Sequence, residues 1–206
     1  MTQNNRVVIA ASGSGRTLVN LLSKADPLYV ICGVMVSKPD CRSAEIALEN
    51  DLPLLVANFS KDNKEKAIKT VDRFLNQVQA NWIALAGFLK PFPVLAQFQN
   101  RTINIHPALL PKFGGKGMYG IKVHEAVIAA GETESGATIH FASEQYDEGP
   151  IIARVKVPVY PSDTAEVLAA RVFQAECDLY PKVLDGLISN QLPLSSGFLD
   201  YVFTPK

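Results

Sequence analysis

An amide and an imidazole lie two residues apart in the apolar run Thr102-Ile103-Asn104-Ile105-His106, which Pro107 follows. Successive side chains of a strand point to opposite faces, so Asn104 and His106 are expected to share one face, opposite the two isoleucines. Pro107 disfavours the helical region for the residue before it, which keeps His106 extended. An amide donor beside a protonated imidazole can stabilise an oxygen that becomes negative, as acyl transfer requires. The pattern predicts a catalytic pair, and a hydrogen-bonded structural histidine is the alternative.

Raising the proton affinity of His106 would take a nearby carboxylate. The segment Tyr146-Asp147-Glu148-Gly149-Pro150 is the obvious supplier, and Asp147 is the first candidate. An aspartate in this position is also a common turn former. The predicted catalytic residues are therefore Asn104, His106 and Asp147.

Covalent catalysis and metal catalysis have no support in the sequence. No serine lies in a Gly-x-Ser-x-Gly motif. Direct attack of one bound substrate on another needs only positioning, an oxyanion donor and proton transfer. His124 and His140 do not have metal-ligand spacing with His106, and His140 is expected to be a structural residue of an apolar strand. No metal is expected.

The turn Ser12-Gly13-Ser14-Gly15-Arg16-Thr17 follows the first predicted strand and opens the first predicted helix. Free N–H groups and the helix dipole favour an anion there, and phosphate is the expected ligand. A dinucleotide fingerprint would need a third glycine near Leu18 and an acidic residue after the second strand, where Ser37 and Lys38 stand. A tight turn that uses glycine only for geometry is the alternative.

The elements that position these residues alternate between apolar strands and helices. Strands are predicted at residues 6–11, 29–36, 54–56, 82–86, 102–106, 137–142 and 151–157, and helices at 17–24, 43–50, 64–79 and 122–130. A last helix is expected to begin near Ser162 or Asp163 and to kink or restart at Pro181. The alternation predicts an α/β fold with a mostly parallel central sheet, helices on both faces and an antiparallel C-terminal portion. Ligands bind such sheets at the carboxyl ends of strands.

Composition favours one domain that binds small molecules. The 206 residues are 48% hydrophobic, which is enough for a sizeable core, and 20 basic residues balance 20 acidic ones. Without a net field, neither nucleic acid nor a membrane is an expected partner. A single domain 1–206 is predicted, with a phosphate-binding half at 1–100, a catalytic half at 101–190 and a loose tail at 191–206.

A reducing compartment is expected for this chain. The three cysteines, Cys32, Cys41 and Cys177, form no disulfide or zinc pattern. The polar N-terminus has no signal peptide, and no apolar run is long enough to span a bilayer. The expected location is the cytoplasm, with the chain as a monomer or a homodimer.

The chain resembles the folate-dependent formyltransferases. The resemblance rests on Asn104-Ile105-His106-Pro107 with Leu109-Leu110-Pro111, on Leu85-Ala86-Gly87-Phe88 before them, and on Asp147-Glu148-Gly149-Pro150 after them. It implies a Rossmann-like formyltransferase fold. It also implies transfer of the formyl group of 10-formyltetrahydrofolate to the amino group of 5'-phosphoribosylglycinamide, in purine (IMP) biosynthesis. The folate is then a co-substrate, and no cofactor is tightly bound.

The resemblance implies a role for each group of site residues. Asn104 and His106 would stabilise the oxyanion, while Asp147 would raise the pKa of the histidine and relay a proton through water. The implied ribonucleotide site comprises Gly13, Ser14, Gly15, Arg16, Thr17, Pro107 and Glu176, of which Glu176 would position the amine. The implied folate site comprises Gly87, Phe88, Leu89, Lys90, Pro91, Phe92, Asn104, Gln145, Tyr146, Asp147 and Glu148.

The phosphate end departs from the family pattern. Arg16 and Thr17 replace a serine and an asparagine, and Phe173 stands where some members have a lysine. We hypothesise that Arg16 binds the phosphate directly. Replacing Arg16 with alanine should then raise the KM for the ribonucleotide much more than the KM for the folate, and an equal effect on both would contradict the hypothesis.

The glycine-rich stretch 112–120 is either a mobile lid or a plain crossing loop.

Other readings of the same residues stay open. A methionyl-tRNA formyltransferase shares the three catalytic residues, but normally adds a basic tRNA-binding surface and a C-terminal barrel. A sugar-nucleotide formyltransferase, a formyltetrahydrofolate deformylase and a non-catalytic folate- or phosphate-binding protein are further alternatives.

Overall fold

A computed structural model describes residues 5–57, 64–192 and 199–202. The chain divides into two compact units, Met1–Ile103 and Asn104–Lys206. Within the described residues, no helix combines the length and the apolar character needed to cross a membrane.

The described part of the first unit contains four parallel strands in the order β3-β2-β1-β4. They are β1 (Arg6–Ala11), β2 (Val30–Val36), β3 (Leu54–Val56) and β4 (Trp82–Leu85). β1 pairs in parallel with β2 and β4, and β2 pairs in parallel with β3. The β1 side chains from Val7 to Ala10 are fully buried, which explains why that strand is apolar at every position instead of alternating.

Helices connect these strands, as the sequence pattern predicts. They are α1 (Arg16–Leu22), α2 (Arg42–Glu49) and α3 (Lys64–Gln77), and a short 3-10 turn covers Ala96–Phe98. Gly33 in β2 shows why a glycine interrupts an apolar strand. A Cβ at Gly33 would lie 2.9 Å from the ring of Phe74 in α3, so the missing side chain makes room for the helix.

The second unit contains antiparallel pairing. Its elements are α4 (Ile121–Ala129), β6 (Glu134–Phe141), β7 (Ile151–Pro158), α5 (Ala165–Ile188) and β8 (Leu199–Val202). The preceding strand β5 (Thr102–His106) ends within this unit, where it carries Asn104 and His106. β6 and β7 are antiparallel, whereas β8 runs parallel to β7. The predicted α/β fold with mostly parallel strands and an antiparallel C-terminal portion is confirmed.

The last helix begins one or two residues after its predicted start and does not restart at Pro181. Thr164 is the N-cap of α5, and its side chain accepts a hydrogen bond from the Val167 N–H. Asp163 instead binds Arg171, so its carboxylate is not available as a cap. Pro181 neither ends nor restarts the helix, which continues to Ile188.

The prediction of a loose tail is wrong for residues 199–202. These residues form β8, and Asp200 accepts two hydrogen bonds from Arg154 of β7, at 2.9 and 3.2 Å. A four-residue strand is too short to show a periodic pattern, so its existence depends on the β7 backbone beside it. Residues 193–198 and 203–206 of the predicted tail lie outside the described residues.

Candidate active site

The carboxylate of Asp147 lies among the polar side chains of the second unit. Its Oδ1 accepts a hydrogen bond from Asn104 Nδ2 at 3.3 Å, and its Oδ2 lies 3.4 Å from His106 Nδ1. The Gly115 N–H donates to Oδ2 at 2.9 Å. The side chains of His106 and Asp147 are 5% and 9% exposed, so solvent would only weakly screen the ion pair that forms when His106 is protonated. The structure thus brings the three predicted catalytic residues together.

Both ring nitrogens of His106 face acceptor oxygens. Nδ1 faces Asp147, and Nε2 lies 2.7 Å from the carbonyl oxygen of Phe113. A neutral imidazole carries one N–H and would leave a lone pair against one of these oxygens, whereas the imidazolium can donate to both. The hydrogen-bonding geometry therefore favours the charged form.

Burial opposes this preference. Desolvation lowers the pKa of His106 below its ordinary 6.5, although the charge of Asp147 and the Phe113 carbonyl each raise it. Asp147 therefore acts in the expected direction, but burial has the larger effect on the pKa of His106. For Asp147, burial by itself raises the pKa, but His140, His106 and the Gly115 N–H together lower the pKa below 3.8. Asp147 is ionised at neutral pH.

His140 is part of the same network, although the sequence pattern predicts a structural residue. Its Nε2 lies 3.0 Å from Asn104 Nδ2, and its Nδ1 lies 2.9 Å from the carbonyl oxygen of Phe141. Since an amide nitrogen only donates, His140 Nε2 accepts from Asn104 and the ring proton lies on Nδ1. Protonation of His140 would make Nε2 a donor, for which Asp147 Oδ1 at 3.5 Å is an acceptor.

A sequence signal for His140 does exist. Thr138 and His140 are two residues apart in β6, which is the spacing that singles out Asn104 and His106. The Thr138 hydroxyl donates to the Ala108 carbonyl at 2.6 Å and accepts from the Leu110 N–H at 3.1 Å. It therefore anchors the chain that leaves β5.

The glycine-rich stretch 112–120 contributes main-chain groups to the site. The Phe113 carbonyl and the Gly115 N–H contact His106 and Asp147, respectively. Phe113 has a φ of 56°, which is a strained conformation for a bulky residue. A Cβ at Gly114 would lie 2.5 Å from a methyl of Leu110. The start of this stretch is thus more than a plain crossing loop, and sequence pattern alone does not reveal main-chain contacts of this kind.

The turn between β6 and β7 presents Asp147. The Phe141 N–H donates to the Pro150 carbonyl at 2.9 Å, and a Cβ at Gly149 would lie 1.7 Å from the Phe141 carbonyl oxygen. Only glycine allows this close approach. Asp147 has a φ of 59°, which aspartate tolerates better than most residues. The neighbouring candidates in this turn, Gln145, Tyr146 and Glu148, are exposed.

The remaining candidates of the second unit are buried or partly buried. Pro107 follows β5 directly and is partly buried. Glu176 and Phe173 are three residues apart on α5, and Glu176 is buried. Burial raises the pKa of Tyr180 well above its ordinary value, and the charge of Glu176 raises it further.

The predicted phosphate turn lies in the first unit at the start of α1. Gly15 is the N-cap with a φ of 70°, and a Cβ there would lie 2.5 Å from a methyl of Ile46. The N–H and the hydroxyl of Ser43 both donate to the Gly13 carbonyl, at 3.2 and 3.1 Å. Gly13, Ser14 and Arg16 are exposed. The first-turn N–H groups of a helix have no partner within the helix, which makes an anion a suitable ligand.

The predicted folate segment, residues 87–92, also lies in the first unit. Phe88 and Phe92 are buried, and their rings meet edge to face with centroids 5.8 Å apart. Gly87 has a φ of 75° and turns the chain after β4. Between the two rings, Leu89, Lys90 and Pro91 are exposed. The two phenylalanines anchor an exposed stretch of main chain.

Among the described residues, no group of three or more His, Cys, Asp and Glu side chains could hold a metal ion. Cys32, Cys41 and Cys177 all belong to the described residues, and none of them forms a disulfide there.

Comparison with known proteins places the chain among formyl transferases. The family model described as formyl transferase matches residues 5–184. Over 191 residues the chain is 41% identical to the chloroplastic phosphoribosylglycinamide formyltransferase of Vigna unguiculata, a match that covers 90% of this chain and 61% of that protein. The chain spans about three fifths of the length of the plant relatives.

Bacterial relatives match over nearly their whole length. The chain is 31% identical over 212 residues to the phosphoribosylglycinamide formyltransferase of Haemophilus influenzae, covering 98% of this chain and 96% of that protein. The crystal structure of glycinamide ribonucleotide transformylase 1 from Symbiobacterium toebii matches with a TM-score of 0.85 at 26% identity, covering 96% and 94% of the two chains. The chain belongs to the formyl transferase family, since the family model matches most of the residues of this chain.

Proposed function

We propose that this protein transfers the formyl group of 10-formyltetrahydrofolate to the amino group of 5'-phosphoribosylglycinamide, with tetrahydrofolate as the second product. Membership of the formyl transferase family and the names of its relatives support this reaction. The observation that carries the proposal is the Asp147 carboxylate, which contacts both the Asn104 amide and the His106 imidazole.

The proposed chemistry is direct attack without a covalent enzyme intermediate. The amine nitrogen attacks the formyl carbon, and the formyl oxygen becomes the oxyanion of a tetrahedral intermediate. Collapse of this intermediate breaks the bond to N10 of the folate, and the proton lost by the amine ends on N10. The protein must therefore stabilise one negative oxygen and assist one proton transfer.

Asn104 is the proposed oxyanion donor. Its two N–H bonds are directed to Asp147 and His140 in the chain without ligands. An oxyanion can replace the uncharged His140 nitrogen as acceptor, so the number of hydrogen bonds is preserved while a charged acceptor is gained. His140 holds the amide in the donating orientation until then.

His106 and Asp147 are proposed to handle charge and proton transfer together. An imidazolium next to the oxyanion would stabilise the oxyanion electrostatically, and the ionised Asp147 would favour that imidazolium. The Phe113 carbonyl already accepts from His106 Nε2. If Nε2 is to donate to the substrate, the hydrogen bond to Phe113 must first be replaced by one to the substrate. Asp147 would then accept the amine proton through a water molecule.

Substrate recognition is proposed to follow the family pattern. The turn 13–17 would bind the phosphate, with Pro107 next to the ribonucleotide and Glu176 next to its amine. The main chain of residues 87–92 and of residues 145–148 would bind the folate. The folate acts as a co-substrate, and no tightly bound cofactor is proposed.

The proposed partners are these two small molecules, and the proposed state is a monomer or a homodimer. The proposed compartment is the cytoplasm, in keeping with the free thiols of the cysteines. The plant relatives are named chloroplastic, so cell fractionation with a chloroplast control is the relevant test.

Purified protein, 10-formyltetrahydrofolate and phosphoribosylglycinamide form the decisive assay, with folate release and formylated product both measured. His106→Ala should lower kcat/KM by about 10²- to 10⁴-fold because it removes the imidazole beside the oxyanion. Ser23→Ala is the matched control, since the exposed Ser23 hydroxyl lies at the end of α1, where it donates to the carbonyl of Asn20.

Three other outcomes of this assay would contradict the proposal. Folate release without the ribonucleotide would indicate a deformylase. Formylation of a sugar nucleotide or of methionyl-tRNA instead would assign a different acceptor. Tight binding of either ligand without turnover would indicate a binding protein.

A further inference from the structure

Ser12 connects two separate segments of the first unit. It follows β1 directly and is 6% exposed. Its N–H donates to the Gly87 carbonyl at 3.1 Å, and its Oγ accepts from the Leu89 N–H at 3.1 Å. One residue therefore holds the main chain after β4 at two points, on either side of Phe88.

Two further contacts hold this part of the turn in place. The Ser37 hydroxyl, which follows β2, donates to Ser12 Oγ at 2.9 Å. On the other side, the Ser43 N–H and hydroxyl donate to the carbonyl of Gly13, the next residue after Ser12. Ser12 is thus fixed by the end of β2 and, through Gly13, by the start of α2.

The contact to Leu89 acts on an exposed stretch of main chain. Phe88 and Phe92 are buried, whereas Leu89, Lys90 and Pro91 between them are exposed. The Leu89 N–H bond to Ser12 fixes the peptide plane between Phe88 and Leu89, where this stretch begins. A ligand bound by main-chain groups depends on the direction of each peptide plane, so losing this bond would misplace its partners.

We propose that Ser12 is a positioning residue for the folate segment, and that its hydroxyl presets the main chain of residues 89–91 for the flat heterocycle of the co-substrate. This inference rests on the proposed function. Ser12 does not touch the reacting atoms. It acts through Leu89, and Ser37 supports it by donating to the same oxygen.

Ser12→Ala is the primary test. The variant removes the acceptor of the Leu89 N–H, so the dissociation constant for tetrahydrofolate, measured by calorimetry, should rise about tenfold. In the transfer assay the KM for the folate should rise similarly, while the KM for the ribonucleotide and kcat should change less than about threefold. Ser37→Ala keeps the Leu89 bond and should show an intermediate rise.

Ser23→Ala is the matched control, because it removes an exposed hydroxyl of the same unit that donates to the Asn20 carbonyl within α1 and its C-cap. An increase for Ser12→Ala no larger than that for Ser23→Ala would overturn the proposal. So would an equal rise in both KM values, which is the result that general loss of structure would produce. Circular dichroism checks that each variant is folded.

Amide hydrogen exchange at Leu89 separates this inference from the proposed function. Faster exchange of the Leu89 N–H in Ser12→Ala, with unchanged exchange at Ile83 in β4, is expected if Ser12 holds this peptide. Unchanged exchange at Leu89 would refute positioning even in an active enzyme.

A wild-type protein that binds tetrahydrofolate without transferring formyl would refute the proposed reaction, and the binding comparison would still decide the role of Ser12. A wild-type protein that binds no folate would refute both.

Discussion

At Asp147, charge and backbone conformation can be separated by substitution. The carboxylate accepts hydrogen bonds from Asn104 and Gly115 and lies beside His106, while its φ of 59° is a left-handed conformation. Asparagine tolerates this conformation as well as aspartate does, whereas alanine does not. Both replacements remove the charge, but only alanine adds strain and removes every side-chain acceptor of the Asn104 and Gly115 N–H groups.

Asp147→Asn should lower kcat/KM by about 100-fold or more, because His106 loses the charge that favours its imidazolium. Its free energy of unfolding should exceed that of Asp147→Ala by at least about 1 kcal/mol, owing to the left-handed φ and to the side-chain oxygen that asparagine keeps as an acceptor. Steady-state kinetics and urea unfolding measure the two effects. Activity of Asp147→Asn within threefold of wild type would contradict a role for the charge.

Predictability at the residue scale depends on whether a side chain or the main chain makes the contact. Strand alternation and the proline after His106 single out Asn104 and His106 without any coordinates. Every residue type has a carbonyl and nearly every one has an N–H, so the main-chain contacts of Phe113 and Gly115 cannot be predicted from residue type. Only the folded chain reveals these contacts. The direction in which the pKa of His106 shifts also cannot be predicted from sequence, because burial in the folded chain is its largest cause.

At the scale of elements, the glycines of the turn before α1 have different roles. Gly15 has a left-handed φ and lies against Ile46 of α2, whereas a Cβ at Gly13 would meet nothing within 4 Å. The turn needs glycine at Gly15 for both conformation and space. At Gly13 the structure imposes no such requirement.

Gly15→Ala should lower the free energy of unfolding by about 1–3 kcal/mol, from the left-handed conformation and the contact with Ile46. Gly13→Ala should change it by less than about 0.5 kcal/mol. Chemical denaturation of the two variants tests this difference. Equal destabilisation of the two variants would contradict a specific requirement for glycine at Gly15.

The elements that the sequence predicts well are those with a long or uninterrupted signal. The buried strands β1 and β4 are continuous apolar runs, and α3 has a strong amphipathic pattern, so their positions follow from local sequence. The start of α5 is predicted one or two residues early, because Asp163 is an equally good cap by type but binds Arg171 instead. β8 depends on its pairing with β7, which lies more than forty residues earlier in the chain.

For the whole molecule, buried histidines couple stability to pH. Burial, together with the charge of His106, lowers the pKa of His124 to about 4, and the pKa of His106 lies below 6.5. Among the described residues, His124 Nδ1 has no hydrogen-bond partner. The folded chain therefore binds fewer protons than the unfolded chain between about pH 6.5 and pH 4, and stability rises with pH in that window. The lowered pKa of Asp147 adds a loss only below pH 3.8.

His124 alone should account for a loss of about 2 kcal/mol in the free energy of unfolding between pH 7 and pH 5. His124→Gln should flatten this dependence, because glutamine does not titrate. Urea unfolding at a series of pH values compares the two proteins. An unchanged slope in the variant would show that His124 does not bind a proton on unfolding.

Local sequence is sufficient to predict the alternation of strands and helices, the face shared by Asn104 and His106, and the candidate turns. These are local properties, since strand periodicity, turn chemistry and proline sterics act over a few residues. Tertiary structure decided what those residues contact. It brought His140 and the main chain of Phe113 and Gly115 into the network of Asp147, and it made burial the main influence on the pKa of His106. Contacts and desolvation depend on segments distant in the chain, which no local pattern encodes.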